Sequence, residues 1–220
     1  MEGLIPAVRS VVTAKNLPKD QIVLFQGEIP NSAYIIDKGL VKAYSINQAG
    51  NEQIAAFYGA NDIFPITWIF NKSSSSLYYY ETMSDCRLLM INKQELRKKI
   101  YSDPELMKEV IDYNAKQYTA SLLKITALEQ SRANEKLMFI LYYLAYRYGE
   151  QNAAGKHVLN ISLTHALLAD MVGLTRETVN AELNKLKKSG VVSYRAKSYA
   201  INKTALERQM GEENFSDLIS

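Results

Sequence analysis

The side chains in this sequence best suited to binding chemistry are cations, amides and carboxylates concentrated between positions 176 and 203. Cations pair with phosphate groups, and amides and carboxylates can bond to the edges of bases. Only Glu177 and Glu182 oppose the positive charge of Arg176, Lys185, Lys187, Lys188, Arg195, Lys197 and Lys203. Such a cluster is typical of a nucleic-acid-binding surface, because an evenly solvated surface would mix the two signs of charge.

Two short helices joined by a tight turn over Ser162–Gly190 are predicted to hold these groups. Apolar residues recur at helical spacing in both helices, and they are Leu168, Met171 and Val172, then Val179, Leu183 and Leu186. Gly173 can adopt the left-handed conformation that the turn needs, and Thr175 can cap the second helix. The opposite face of that helix carries Arg176, Glu177, Asn180, Asn184 and Lys188. This pattern predicts a helix-turn-helix whose second helix enters the major groove of DNA.

A basic hairpin is predicted directly after the second helix. Gly190 ends that helix, and residues 191–194 and 198–201 are predicted to be short strands around Arg195 and Lys197. A helical hairpin with a merely solvated charged face is the competing interpretation of the two helices. The basic hairpin favours DNA binding, because it forms a wing that adds cations near phosphates.

The composition argues against several other classes of protein. No run of 18 or more apolar residues is present and no secretion signal is visible, so we expect a cytoplasmic protein that does not insert into a membrane. Cys86 is the single cysteine, and both histidines, His157 and His165, lie in the DNA-binding half, so we expect no metal site. No arrangement of nucleophile and base and no glycine-rich phosphate loop indicates an enzyme.

The chain is predicted to have a β domain followed by helices, in the α+β class. Between Leu17 and Ile91, short alternating segments end at turn sequences roughly every 8–12 residues, as in sandwiches and barrels. Helices are predicted over 93–101, from Pro104 to about Gln130, and over 133–148. The predicted domains are a β domain at 1–103, a central helix at 104–131 and a DNA-binding domain at 132–220.

The long central helix has two apolar faces. One stripe with a spacing near seven residues comprises Ile111, Asn114, Tyr118, Ser121, Ile125 and Leu128. The other apolar positions, expected to cover the β domain, are Leu106, Val110, Leu122 and Leu123. A helix that is apolar on two sides usually packs against two structures, so the stripe predicts a dimer contact. We assign that contact to Ile111, Asn114, Tyr118, Ile125 and Leu128, with a purely intrachain helix as the alternative.

This order of elements resembles the Crp/Fnr family of bacterial transcription regulators over nearly the whole chain. The most specific match is the gap-free run Arg176-Glu177-Thr178-Val179, and the turns Gln26-Gly27-Glu28 and Lys38-Gly39 match as well. The resemblance implies a β-roll like that of cyclic-nucleotide-binding domains, a long dimerisation helix and a C-terminal winged helix-turn-helix. It also implies a homodimer that binds a palindromic operator in double-stranded DNA and contacts RNA polymerase.

The resemblance also implies which residues contact DNA. The positions that match Arg176 and Glu177 contact base edges in the family, where arginine can bond twice to guanine and a carboxylate can accept from cytosine. We expect half-sites of the TGTGA or TTGAT type. The full predicted set is Thr164, Thr175, Arg176, Glu177, Thr178, Asn180, Asn184, Lys188, Arg195 and Lys197.

The ligand pocket is where the sequence departs from the family pattern. Members that bind cyclic nucleotides hold the ribose with a glutamate and the phosphate with an arginine, and ungapped counting places Ile66 and Ser76 at those positions. Isoleucine cannot accept a hydrogen bond and serine carries no charge to offset phosphate, so we expect that cyclic AMP does not control this protein in the family's usual way. The N-terminal cysteines that hold an iron–sulfur cluster in other members are also absent.

The pocket that remains is aromatic and apolar. Its predicted lining residues are Phe64, Ile66, Trp68, Ser76, Leu77, Tyr78, Tyr118 and Ser121. A different, unidentified small effector held by aromatic rings is one interpretation, and a collapsed interior without a ligand is the other. The sequence thus predicts a DNA-binding regulator, activator or repressor, with a β-roll ligand sensor or scaffold that does not bind DNA as the alternative.

Overall fold

A computed structural model describes Met1, residues 3–195 and residues 197–211. The chain divides into two compact units, which we call the β unit (Met1–Asn114) and the C-terminal unit (Ala115–Ser220). None of the helices in the described ranges is both long and apolar enough to cross a membrane.

The β unit is a roll of two antiparallel sheets. Its strands are β1 (Thr13–Leu17), β2 (Ile22–Leu24), β3 (Ala33–Lys38), β4 (Val41–Ile46), β5 (Glu52–Tyr58), β6 (Ile63–Phe64), β7 (Tyr79–Thr82) and β8 (Cys86–Ile91). The sheets have the orders β1-β8-β3-β6 and β2-β7-β4-β5. Residues from both sheets fill the interior, and they are Leu24, Tyr34, Ile36, Val41, Ala43, Phe64, Tyr80, Cys86 and Leu88. The predicted β-roll is therefore confirmed.

Helices cover the outer side of the first sheet. They are α1 (Leu4–Val8), α2 (Ile66–Ile69), α3 (Lys93–Ser102) and the start of α4 (Pro104–Glu129). Because side chains alternate along a strand, Ile36 faces the interior of the roll while Ile35 packs with Leu4, Leu96 and Leu106 from the helices. Neither α1 nor β1 was predicted from the sequence. Most of β1 is exposed, so it has no apolar alternation, and its register comes from pairing with the distant β8.

Helix α4 has the predicted length and begins at a side-chain cap. The Asp103 carboxylate accepts hydrogen bonds from the backbone N–H groups of Glu105 (3.0 Å) and Leu106 (3.2 Å). Leu106, Val110 and Leu123 are buried, whereas Leu122 is 46% exposed. Leu122 lies one turn after Tyr118 and shares its exposed face.

The C-terminal unit combines helices with one further sheet. Its further elements are α5 (Ala133–Tyr148), β9 (Gly149–Gln151), β10 (His157–Leu159), α6 (His165–Val172), α7 (Arg176–Lys188), β11 (Val192–Arg195), β12 (Ser198–Ile201) and α8 (Lys203–Met210). The sheet has the order β11-β12-β10-β9, so the predicted wing is present and pairs with two further strands. Strand β9 directly follows α5 and forms through pairing with β10. Ala196, between the two predicted wing strands, and residues 212–220 lie outside the described residues.

Candidate nucleic-acid interface

The helix-turn-helix is built from two capped helices and one left-handed glycine. The Thr164 hydroxyl caps α6 by accepting from the N–H of Leu167 at 3.1 Å. Gly173 has φ 65°, as the sequence predicted, and a side chain would be strained in that conformation. The Thr175 hydroxyl caps α7 by accepting from the N–H of Thr178 at 3.2 Å, and the hydroxyls of these two threonines lie 2.9 Å apart. Three of the predicted DNA-contacting threonines therefore also fix the starts of the two helices.

Helix α7 separates an apolar face from a polar one. Val179, Leu183 and Leu186 are buried in the unit. The opposite face is exposed and carries Arg176, Glu177, Asn180, Asn184 and Lys188. Glu177 in the first turn and the lysines in the last turn also suit the helix dipole. The structure thus places the five predicted residues together on one accessible surface.

Local pairing neutralises part of the positive charge near this face. Nζ of Lys185 lies 2.6 Å from Oε1 of Glu182 on the same helix. On α8, Nζ of Lys203 lies 3.5 Å from Oε1 of Glu207. Arg195 and Lys197 are exposed at the end of the wing, and Lys188 is exposed at the end of α7. The cations on the wing and at both ends of α7 are therefore the ones available for phosphates.

The wing contacts the helix-turn-helix through Tyr194, which is not among the predicted DNA-contacting residues. Its hydroxyl donates to Oδ1 of Asn184 at 3.1 Å, and Nζ of Lys187 lies 4.8 Å from its ring centre. The ring also meets His165 edge-on at 5.4 Å and stacks on Tyr199 at 5.3 Å. The only signal in the sequence was an aromatic residue on a short strand that follows a recognition helix.

Behind the interface lies a buried polar cluster that joins α5, β10 and α8. The Tyr142 hydroxyl donates to Glu207 at 3.1 Å, and His157 is only 8% exposed. Burial lowers the pKa of His157, nearby Lys203 lowers it further, and Glu207 opposes both effects. Burial and the bond to Glu207 raise the pKa of Tyr142. In the described ranges, no group of three or more His, Cys, Asp or Glu side chains is placed to hold a metal ion.

Those residues of the β unit that were predicted to form an effector pocket are divided between two apolar clusters. The Phe64 ring stacks on Tyr80 at 4.6 Å and on Tyr34 at 5.2 Å inside the roll. Trp68 lies on the other side of the first sheet, among the helices, with Nζ of Lys93 4.3 Å from its ring centre. A single pocket lined by Phe64 and Trp68 is therefore not formed, because a sheet separates the two rings.

The remaining predicted pocket residues have separate positions. Tyr78 packs on the interior cluster that holds Phe64, Leu77 is 47% exposed, and Ile66 is half-buried on α2. In the C-terminal unit, Tyr118 is exposed and the Ser121 hydroxyl donates to the Gln117 carbonyl at 2.9 Å. Within the β unit, Ile66 and Tyr78 therefore pack against different apolar clusters.

The two positions that matter most for a cyclic nucleotide do not fit one. Ser76 is 2% exposed, and its hydroxyl donates to the backbone carbonyl of Tyr78 at 2.7 Å. Ile66 has no polar side-chain atom. Ile66 therefore cannot accept a hydrogen bond from a ribose hydroxyl, and Ser76 carries no charge to offset a cyclic phosphate.

Helix α4 exposes a row of large apolar side chains. Ile111, Tyr118, Leu122, Ile125 and Leu128 are 45–67% exposed. Asn114, which was predicted in this row, is half-buried, and its amide donates to the Val110 carbonyl at 2.7 Å. A contiguous exposed apolar row of this kind usually marks an interaction surface.

Comparisons with known proteins agree with this architecture. A family model described as a cyclic nucleotide-binding domain matches residues 14–103, and one described as a Crp-like helix-turn-helix domain matches residues 135–208. The chain is 27% identical to the anaerobic regulatory protein of Aggregatibacter actinomycetemcomitans, covering 87% of this chain and 73% of that protein. It is also 27% identical to the regulatory protein HlyX of Actinobacillus pleuropneumoniae, over 86% and 78% of the two chains.

Solved structures show the same fold at lower identity. The structure of FixK2 from Bradyrhizobium japonicum superposes with a TM-score of 0.72 at 21% identity, over 90% of this chain and 96% of that one. The helix-turn-helix match overturns the alternative of a scaffold that does not bind DNA. The regulatory relatives agree with the prediction that the chain is not an enzyme.

Proposed function

We propose that this chain, which belongs to the Crp/Fnr family of transcription regulators, acts as a homodimer that binds a palindromic operator in double-stranded DNA. The observation that carries the proposal is the exposed polar face of α7. The cap at Thr175 and the buried apolar face of the same helix hold this face in place. Arg176 and Glu177 begin this face, so they reach furthest into a major groove entered by the N-terminal end of α7. Asn180 lies one turn further along the same face.

Phosphate contacts would position α7 in the groove. The starts of α6 and α7, at Thr164 and Thr175, present backbone N–H groups and the positive ends of helix dipoles to an anion. Lys188, Arg195 and Lys197 add full charges. Contacts of this type supply affinity without sequence preference and make binding fall steeply with salt.

The exposed apolar row of α4 supports the dimer. A dimer could place two copies of this row against each other across a twofold axis. Its side chains Ile111, Tyr118, Ile125 and Leu128 would then be removed from water. A twofold pair of α7 helices would then contact two half-sites about one helical turn apart. Regulation of transcription also implies a contact with RNA polymerase and a location in the cytoplasm with the chromosome.

The test begins with the purified full chain and a library of random duplex DNA. We expect enrichment of a palindrome whose half-sites lie about 10 base pairs apart, with affinity that falls steeply with salt. Ile125→Asp should weaken the dimer at least about thirtyfold, because a carboxylate in an apolar seam costs at least roughly 2 kcal/mol. Ile125→Leu, the matched control, should stay dimeric in sedimentation. Enrichment of no sequence, or an Ile125→Asp dimer of parental strength, would contradict the proposal.

A further inference from the structure

We propose that Tyr194 is a positioning residue that holds the wing against α7, and that Asn184 anchors Tyr194 instead of contacting a base. The inference rests on the DNA-binding function proposed above and concerns only contacts within the C-terminal unit. It reassigns one residue of the predicted DNA-contacting set, Asn184, and gives a role to another residue outside that set.

The sheet fixes Tyr194 from one side. Tyr194 on β11 is the register partner of Tyr199 on β12, and the two rings stack at 5.3 Å. Tyr199 is fully buried, so it offers a rigid platform. Paired neighbours on adjacent strands stabilise each other, and this pairing sets the direction in which the Tyr194 ring projects.

The helices fix the same side chain from the other side. Its hydroxyl donates to Asn184 at 3.1 Å, and its ring lies under Lys187, three residues further along α7. The ring of His165, the first residue of α6, meets it edge-on at 5.4 Å. One tyrosine therefore contacts both helices of the helix-turn-helix and both strands of the wing.

This arrangement limits what Asn184 can do. An asparagine that recognises adenine uses its side-chain oxygen and nitrogen together, accepting from N6 and donating to N7. In this structure the oxygen of Asn184 already accepts the Tyr194 hydroxyl. Asn184 is thus placed to orient Tyr194, and the wing cations Arg195 and Lys197 follow Tyr194 in the chain. Removal of the Tyr194 side chain should release these cations from their phosphates.

The first experiment measures affinity and its salt dependence on the duplex that the wild-type chain enriches. Tyr194→Ala should bind more weakly, and the slope of log affinity against log salt should become shallower by about 0.9 for each phosphate that the wing no longer neutralises. A variant that merely folds less well would keep the parental slope. Tyr194→Phe keeps the ring contacts, so it should retain the slope and lose only about two- to tenfold in affinity. Tyr101→Ala, an exposed tyrosine of the β unit, should change neither quantity.

The second experiment separates anchoring from base contact. If Asn184 anchors Tyr194, adding Asn184→Ala to Tyr194→Phe should weaken binding no further, and Asn184→Ala alone should enrich the wild-type sequence. Relaxed preference at one base pair in Asn184→Ala, or a parental salt slope in a folded Tyr194→Ala, would overturn the inference. A wild-type chain that enriches no sequence would instead overturn the proposed function, and this inference with it.

Discussion

The interior of the β unit and the exposed face of α7 were both predicted as binding sites, but their side chains are arranged differently. Phe64, Tyr34 and Tyr80 pack ring on ring within the roll. The polar residues of α7, such as Arg176 and Asn180, lie on the surface, with an apolar core behind them. A ring that already packs on its neighbours must separate from them before it binds a ligand, whereas an exposed arginine gives up only water. The difference predicts a rigid interior in the β unit and an accessible DNA-binding face in the C-terminal unit.

The largest expected effect tests whether the β interior is filled. Phe64→Ala should destabilise the β unit by roughly 3–5 kcal/mol, because it removes a fully buried ring and leaves a cavity. Denaturant unfolding followed by fluorescence of Trp68, the single tryptophan, reports on this unit. Leu77→Ala, at an exposed position of the same unit, should cost less than about 0.5 kcal/mol. A destabilisation below about 1 kcal/mol for Phe64→Ala would indicate space for a ligand and remove the contrast between the two regions.

The next effect tests whether the α7 face binds through exposed groups. Arg176→Ala should reduce operator affinity by roughly 1–3 kcal/mol, or about 5- to 150-fold, and relax preference at one base pair. Its unfolding midpoint should match the parent, since the side chain is exposed. Arg208→Ala on α8 is the matched control, because it removes an exposed arginine of the same unit outside the helix-turn-helix and wing. Titration of a labelled duplex at fixed salt measures both variants, and equal affinities would contradict the assignment of Arg176.

A smaller effect should appear in the C-terminal unit on acidification. The pKa of His157 is lowered from 6.5 by burial and by Lys203. The imidazole of His157 therefore binds a proton less readily in the folded chain than in the unfolded chain. Stability should therefore fall as the pH drops below about 6.5, with no contribution from this group at higher pH. Thermal unfolding between pH 7.5 and 5.5 should show a shallower decline for His157→Gln. His165→Gln serves as the control with the other histidine removed, and equal declines for the parent and His157→Gln would show that His157 does not cause the decline.

The smallest expected effect is that of cyclic AMP. Ile66 has no acceptor for the ribose hydroxyl and Ser76 has no charge for the phosphate, so calorimetric titration should give no binding in the micromolar range. The operator affinity should be the same with and without the nucleotide. A micromolar dissociation constant would show that other residues of the β unit bind it, and the contrast between the two regions would then disappear.

The sequence predicted best those features whose signals are local. The helix-turn-helix depends on one short stretch of the chain, which contains Gly173, the Thr175 cap and the apolar residues Val179, Leu183 and Leu186. Helical periodicity and turn chemistry were therefore sufficient to predict it. The α+β order and the length of α4 followed from the same signals.

Features that depend on distant contacts could not be predicted in this way. The register of β1 comes from β8, and the separation of Phe64 from Trp68 comes from the sheet between them. The bond from Tyr194 to Asn184 joins a strand to a helix and depends on how the wing folds back. Each of these contacts adds a partner that periodicity does not describe, whereas the shared face of the α7 residues follows from helical periodicity alone.

The exposed apolar row of α4 has a consequence for how the regulator would respond to its own abundance. If two chains must meet along Tyr118 and Ile125 before both half-sites can be occupied, operator occupancy rises with the square of the chain concentration while dimers are scarce. Doubling expression would then raise occupancy about fourfold in that range. The strength of one helix seam would therefore set an expression threshold, below which the regulated promoter is not affected.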